Sequence, residues 1–305
     1  LKFGVPKELS HSEILKIIDQ FVNAAEVAKQ TGFTGVQLHS AHGYLLSEFL
    51  SPNVNQRTDE WGGSIENRSK LLITTIEAIR EKVGSNFPIS IKLNSSDFQK
   101  GGFSHEESIE VAKILNNTSL DLLEISGGTY ENFTALEIDS LNLKKAKTIK
   151  PQRSTKVREA YFLKYAEAIK DVISIPLAVT GGFRSAEGMN TALQSGACDV
   201  IGLGRPLCSE PDIVNELISG EKKSATLYEN MLEFGPWILG LNSPISLMRS
   251  NNKAAQVYWC YRQILKIADG NEVDTELGLF RAFLDHFRDD SANSKKYKAF
   301  WKDLD

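Results

Sequence analysis

The feature that most constrains the fold is a change of period that repeats along two thirds of the chain. From Ser10 to Arg205, segments with the 3.6-residue spacing of amphipathic helices take turns with short apolar runs. Ser10 followed by Glu13 reads as a capping box that opens a helix to Gln30, Gly32 closes it, and residues 33–38 follow as a strand. Ser64 can cap a helix over 65–83, carried by the stripe Leu71, Leu72, Thr75, Ile76 and Ile79, before a strand over 88–94. Ser104 opens the next helix, through Leu115, and 120–126 is again a strand. A loop over 129–153, a helix over 159–172, a strand over 175–180, a helix between Ser185 and Gly196, and a strand over 199–205 complete the series. Such alternation implies parallel strands joined by helical crossovers, an α/β fold. Beyond Asp212 only helices and loops are expected, notably over 254–268 and 277–287, with a polar, lysine-rich end near Ser294.

The most unusual side chains cluster where the first strand stops. His39, His42 and Tyr44 lie within six residues, at the carboxyl end of a strand, where barrel and open-sheet enzymes assemble their sites. Two imidazoles three residues apart can aim two N–H groups at one acceptor, and a nearby phenol can hand a proton to an adjacent carbon. The competing readings are a pair of structural histidines with a half-buried tyrosine, and a zinc site; the zinc reading lacks a third ligand nearby. The following Asn/Arg/Asp/Gly-rich loop contains Arg57, Asp59, Asn67 and Arg68, which read as internal scaffold, because a loop that long needs its own ion pairs and amide hydrogen bonds.

A second constellation is glycine-based. Gly181 and Gly182 follow one strand, and Gly204 and Arg205 follow the next. Glycine backbones approach anions closely, and arginine grips phosphate with two parallel donors, so the four residues are candidates for a phosphate site. Lys92 is a cation inside an otherwise apolar strand; an unpaired buried charge is costly, so it calls for an anionic partner or an escape to the strand end.

Composition excludes some functions. A net charge of -4 with 24% charged residues carries no basic footprint for nucleic acid. Three cysteines, Cys198, Cys208 and Cys260, with no short paired spacing suggest neither a disulfide framework nor a structural zinc site. No stretch has the length of a membrane span and no signal-peptide pattern opens the chain, which suggests a cytoplasmic protein.

The block from His39 to Arg68, with His-x-x-His-Gly-Tyr and then Asn-x-Arg-Thr-Asp-x-x-Gly-Gly-Ser-x-x-Asn-Arg, followed in order by Gly181-Gly182-Phe183 and Gly204-Arg205-Pro206, closely resembles the old yellow enzyme family of FMN-dependent NAD(P)H oxidoreductases. The resemblance implies a (β/α)8 TIM barrel, of which this chain carries strands four to eight. It implies a partial FMN-binding barrel domain over 1–220 and a helical extension over 221–305. It also implies FMN as cofactor, NAD(P)H as hydride donor, and a small enone or related electrophilic alkene as substrate. By the same resemblance His39 and His42 hold the substrate oxygen and Tyr44 protonates carbon. Lys92 stands where the family usually has an arginine beside the flavin pyrimidine, and Gly181, Gly182, Gly204 and Arg205 take the phosphate. A catalytically inactive fragment or pseudoenzyme is the alternative reading, prompted by the absence of counterparts to the family's first three strands.

Overall fold

In a computed structural model, residues 6–128 and 160–302 are described. The chain divides into two compact units, one of Leu1–Phe183 with Glu187–Gly202, the other of Arg184–Ala186 with Leu203–Asp305.

The first unit is a parallel sheet of β1 (Val36–Ser40), β2 (Ile89–Asn94), β3 (Leu122–Ser126), β4 (Leu177–Thr180) and β5 (Val200–Gly202), in that spatial order. Sequential order without reversal is the arrangement of a barrel wall, in contrast to a doubly wound sheet, whose order reverses at a switch point. The strands alternate. Leu38, Ile89, Ile91, Leu93, Leu123, Ile125, Leu177 and Val179 are buried and form one face, while Gln37, His39, Ser90, Lys92, Asn94, Glu124, Ser126 and Thr180 share the other. A sheet with helices on its apolar face and polar groups on the opposite one is built to present chemistry rather than to fill a core.

The helices of this unit are α1 (His11–Gln30), α2 (Leu45–Leu50), α3 (Ile65–Val83), α4 (His105–Leu115), α5 (Leu163–Lys170) and most of α6 (Ala186–Gln194). The expected caps form. Ser10 and Glu13 make a complete capping box on α1, Ser104 and Glu107 make one on α4, and Ser64 accepts from Asn67 N–H at the head of α3. Leu71, Leu72, Thr75, Ile76 and Ile79 of α3 are buried as their spacing implied.

Several strand bounds differ from expectation. β1 starts at Val36 and runs through His39 and Ser40, because Val36 N–H pairs with Pro88 and the ladder with β2 continues to Ser40↔Leu93. β5 stops at Gly202, and Arg205 opens a short helix instead of closing the strand. Gly202 faces Thr180 so closely that a Cβ there would lie 1.8 Å from Thr180 Oγ1, which accounts for glycine at that register pair. α2, six residues long, sits where only loop was expected; Leu46, Phe49 and Leu50 bury their side chains on that turn of helix. The loop expected over 129–153 lies outside the described residues.

The second unit is helical, with α7 (Arg205–Ser209), α8 (Ile213–Ser219), 3-10 turns at Tyr228–Asn230 and Trp237–Leu239, α9 (Ser246–Ala268) and α10 (Leu279–Lys302). α9 and α10 are longer than their apolar stripes suggested, and α10 takes in the lysine-rich stretch around Ser294. Its core gathers Ala255, Trp259, Leu279 and Ala282, packed by Tyr228, Phe234, Cys260 and Phe283. Two buried amides staple it. Asn252 donates to Leu239 O and Met248 O and accepts from Phe234 N–H, and Gln263 exchanges hydrogen bonds with the backbone of Asp274. No helix among the described residues is long and apolar enough to cross a membrane.

Candidate active site

At the carboxyl end of β1 the chain turns at once. His42 has φ 63° and Gly43 φ 79°. A left-handed residue other than glycine costs on the order of 1 kcal/mol and persists only where its surroundings hold it. Two strand-end residues do so here. The His42 N–H donates to Asn94 Oδ1 at 3.2 Å, and His42 Nε2 shares a hydrogen bond with Ser126 Oγ at 2.8 Å. Asn94, 1% exposed, is itself fixed, since its Nδ2 donates to Asp97 Oδ1 and Gly128 O, both at 2.9 Å.

The turn gathers the three rings anticipated from sequence. His39 and His42 meet edge to face with centroids 5.1 Å apart, and Tyr44 lies 4.9 Å from His39. Tyr44 is the N-cap residue of α2, and its ring stays half-exposed. Burial, then the neighbouring His39 and Lys92, depress His42 to about 4; burial and Lys92 also lower His39. Both imidazoles are therefore neutral at neutral pH, each with one N–H and one lone pair. His39 Nδ1 is buried with no hydrogen-bond partner among the described residues, a nitrogen that an incoming polar atom would satisfy.

Lys92 finds its anion across the sheet. Its Nζ lies 2.5 Å from Glu124 Oε1, which also accepts from Thr180 Oγ1 at 2.6 Å, while Glu124 Oε2 accepts from Gln37 Nε2 at 2.8 Å. The cation remains on the polar face beside the histidines, since its charge is felt by both.

Ser126, Asn94 and Glu124 escaped the reading of the sequence. The signal was present in the two-residue spacing of Lys92 with Asn94 and of Glu124 with Ser126, which places all four on the face that bears His39. The loop residues behave as scaffold. Arg57 pairs with Asp59 and donates to Leu9 O at 2.7 Å, Asn67 donates to Gly62 O at 3.0 Å, and buried Arg68 donates to Gly63 O and Leu50 O and pairs with Glu107.

The four phosphate candidates divide between the units. Gly181 and Gly182, in the first, have φ 141° and 84°, and a Cβ on Gly181 would press the Phe162 ring at 2.8 Å. In the second, Gly204 opens α7, and a Cβ there would meet nothing within 4 Å; Arg205 Nη1 lies 3.3 Å from Glu229 Oε1, which also pairs with Arg184.

Residues 2–224 match the family model for the NADH:flavin oxidoreductase / NADH oxidase family. The chain is 40% identical over 226 residues to the NADH-dependent flavin oxidoreductase nadA of Aspergillus parasiticus, covering 74% of this chain and 48% of that protein. Among solved structures it resembles a 2-naphthoyl-CoA reductase in complex with 2-naphthoyl-CoA, with 31% identity and TM-score 0.60 over 70% of this chain and 30% of that one. It also resembles the old yellow enzyme homologue of Zymomonas mobilis, with 26% identity and TM-score 0.56 over 73% of this chain and 57% of that one. The chain spans between 30% and 58% of the length of the first four curated relatives, and its five strands correspond to part of the old yellow enzyme barrel. With the sheet order, the strand-end histidines and this match over most of its length in agreement, the chain belongs to the NADH:flavin oxidoreductase / NADH oxidase family.

Proposed function

We propose that this protein acts as an FMN-dependent NAD(P)H oxidoreductase that reduces the activated C=C bond of α,β-unsaturated carbonyl compounds. The observation that carries the reading is the ring cluster of His39, His42 and Tyr44 at the end of β1, held by a left-handed turn that Asn94 and Ser126 stabilise.

The residues fit the cofactor that family membership implies. Lys92 offers a cation on the polar sheet face, His39 Nδ1 offers a buried nitrogen in need of a partner, and Gly181 and Gly182 adopt conformations in which glycine N–H groups can meet an anion. Arg205, held by Glu229, is a separate cationic candidate in the second unit. Bound FMN supplies hydride acceptance and donation.

The chain's own groups supply the rest. Two neutral imidazoles can each donate one N–H to a carbonyl oxygen, which draws electron density from the conjugated alkene and favours attack at its β-carbon. Tyr44 O–H stands beside His39 as the proton source for the α-carbon. A 2-naphthoyl thioester, the ligand in the similar reductase, is also an unsaturated system conjugated to a carbonyl, so the same polarising pair suits both classes.

The test is to follow NADH or NADPH consumption by the FMN-loaded protein, without oxygen, on adding cyclohexenone and, separately, cyclohexene. Consumption stimulated by the enone alone is expected. Equal response to both, or turnover with oxygen and none with any enone, would overturn the substrate class.

A further inference from the structure

Two of the three thiols lie together, far apart in sequence and outside the histidine site. Cys208 sits on α7 and Cys260 on α9, and their side chains are hydrogen-bonded to each other. Cys208 S–H in turn reaches Gly204 O at 3.9 Å. Both are free thiols and both are partly exposed, so a small oxidant can reach them, whereas Cys198 is buried.

We propose that Cys208 and Cys260 form a peroxide-responsive dithiol that closes to an intramolecular disulfide and ties α7 to α9. The pairing has an asymmetry that assigns the roles. The hydrogen bond from Cys260, followed by the nearby Arg205 guanidinium, lowers Cys208 below the ordinary thiol range against the opposing effect of burial. The same hydrogen bond, with burial and the proximity of Glu229, raises Cys260. Cys208 is therefore the attacking thiolate and Cys260 the resolving thiol.

The chemistry balances with hydrogen peroxide as the oxidant. Cys208 sulfur attacks one peroxide oxygen, the O–O bond breaks, and the departing oxygen leaves as water after taking the proton that Cys208 gave up. Cys208 becomes a sulfenic acid. Cys260 sulfur then attacks Cys208 sulfur, the S–O bond breaks, and the hydroxyl leaves as a second water with the Cys260 proton. Two thiols lose two electrons in total, and one peroxide is reduced to two waters.

The geometry supports such closure. Thiols in hydrogen-bonding contact need only a small approach to reach a bonding distance of about 2.05 Å, provided the helices allow a Cα separation near 5.5–6 Å. Cys260 is anchored beside Trp259 and the core of its unit, whereas α7 is a single short helix with Leu207 exposed, so the adjustment falls on α7. The disulfide would fix the helix that begins at Arg205.

The test is to treat the full chain with a slight excess of hydrogen peroxide and examine it by non-reducing peptide mapping. The expected product is two mass units lighter than the untreated protein, with a Cys208–Cys260 linked peptide and Cys198 still alkylatable. Cys198→Ser should retain the product. Cys208→Ser should lower the rate of thiol loss about tenfold, since the remaining thiols are poorly ionised. In Cys260→Ser a sulfenic acid should be trapped on Cys208 by dimedone. Predominant intermolecular dimers, loss of Cys198 at the rate of Cys208, or Cys208 passing to sulfinic acid in the unsubstituted protein without a linked peptide would overturn the proposal. The mapping of unsubstituted protein and of Cys198→Ser decides the matter even if the other two variants fold poorly.

Discussion

Lys92 Nζ and Glu124 Oε1 face each other at 2.5 Å across a register pair of β2 and β3. The pair is mostly buried, and Glu124 collects further donors from Thr180 and Gln37. Burial alone would raise the Glu124 carboxyl, but these hydrogen bonds and the Lys92 charge bring it below its usual 4.5. The carboxylate form is thus favoured more in the folded protein than in the unfolded one.

Glu124→Gln should therefore destabilise the protein by about 2–4 kcal/mol at neutral pH, because it strands a partly buried cation. The pH dependence has a definite sign. A depressed carboxyl contributes stability above its unfolded pKa, and that contribution is lost as pH falls through its lower folded value. The gap between the original protein and Glu124→Gln in urea denaturation should hold from pH 7 to about 5 and shrink below about 4.5. A gap that stays constant to pH 3 would show that the charge is not what matters.

His42 gives the mirror case for a base. Its folded value is about 4 and its ordinary value 6.5, so between those values the unfolded state binds the extra proton and stability falls as pH falls. Allowing for partial exposure, the loss should be on the order of 2 kcal/mol. His42→Asn removes this titration while keeping a residue that tolerates the left-handed turn, so its stability should vary less between pH 6.5 and 4. His42→Val should be destabilised further, by about 1–2 kcal/mol relative to Asn, since a β-branched residue resists that backbone conformation. Equal stability of the two variants would contradict the turn's role.

The helices were legible in the sequence because their signals are local. Ser10 with Glu13, Ser64, and Ser104 with Glu107 act within one turn, and the predicted and observed bounds of α3 coincide. Strand starts were less legible. Residues 33–35 and 120–121 have strand-like composition, but where pairing begins depends on a neighbour distant in sequence, such as Pro88 for Val36. The ring cluster could be named from His39, His42 and Tyr44 alone, since six residues of chain hold all three. Its supports could not, because Ser126 reaches His42 only through the β1-β2-β3 register, and Glu124 finds Lys92 the same way. The pairing of Cys208 with Cys260 depends on how α7 packs on α9, which spacing along the chain does not encode.

Tyr44→Phe separates proton delivery from the rest of the proposed cycle. The half-exposed phenol stands beside His39 and has no part in reduction of a bound flavin by NAD(P)H. In stopped-flow work on the FMN-loaded protein, alkene reduction should slow by about 10²-fold while flavin reduction keeps its rate. Equal slowing of both halves would remove Tyr44 as the proton source and leave it a packing role.

Asn94 links the sheet to the catalytic turn, and its replacement by aspartate tests that link with little change in shape. The amide uses both ends, with Oδ1 accepting the His42 N–H and Nδ2 donating to Asp97 Oδ1 and Gly128 O. Asn94→Asp keeps the acceptor toward His42 but replaces two donors with a second carboxylate oxygen facing Asp97 and a carbonyl. Burial already pushes Asp97 above its usual range, with the hydrogen bond from Asn94 acting to bring it down. The variant removes that hydrogen bond and adds a like charge, so one carboxyl of the new pair must take up a proton. Denaturation at pH 7 should show a loss of about 2–4 kcal/mol, recovering in part toward pH 5 as the shared proton binds, the opposite trend to His42. The turn should loosen with it, so amide exchange at His42 and Gly43 should speed up even though the acceptor for His42 N–H is still present. Unchanged exchange there, alongside the loss of stability, would mean that Asn94 braces the sheet alone and that Ser126 suffices to hold His42.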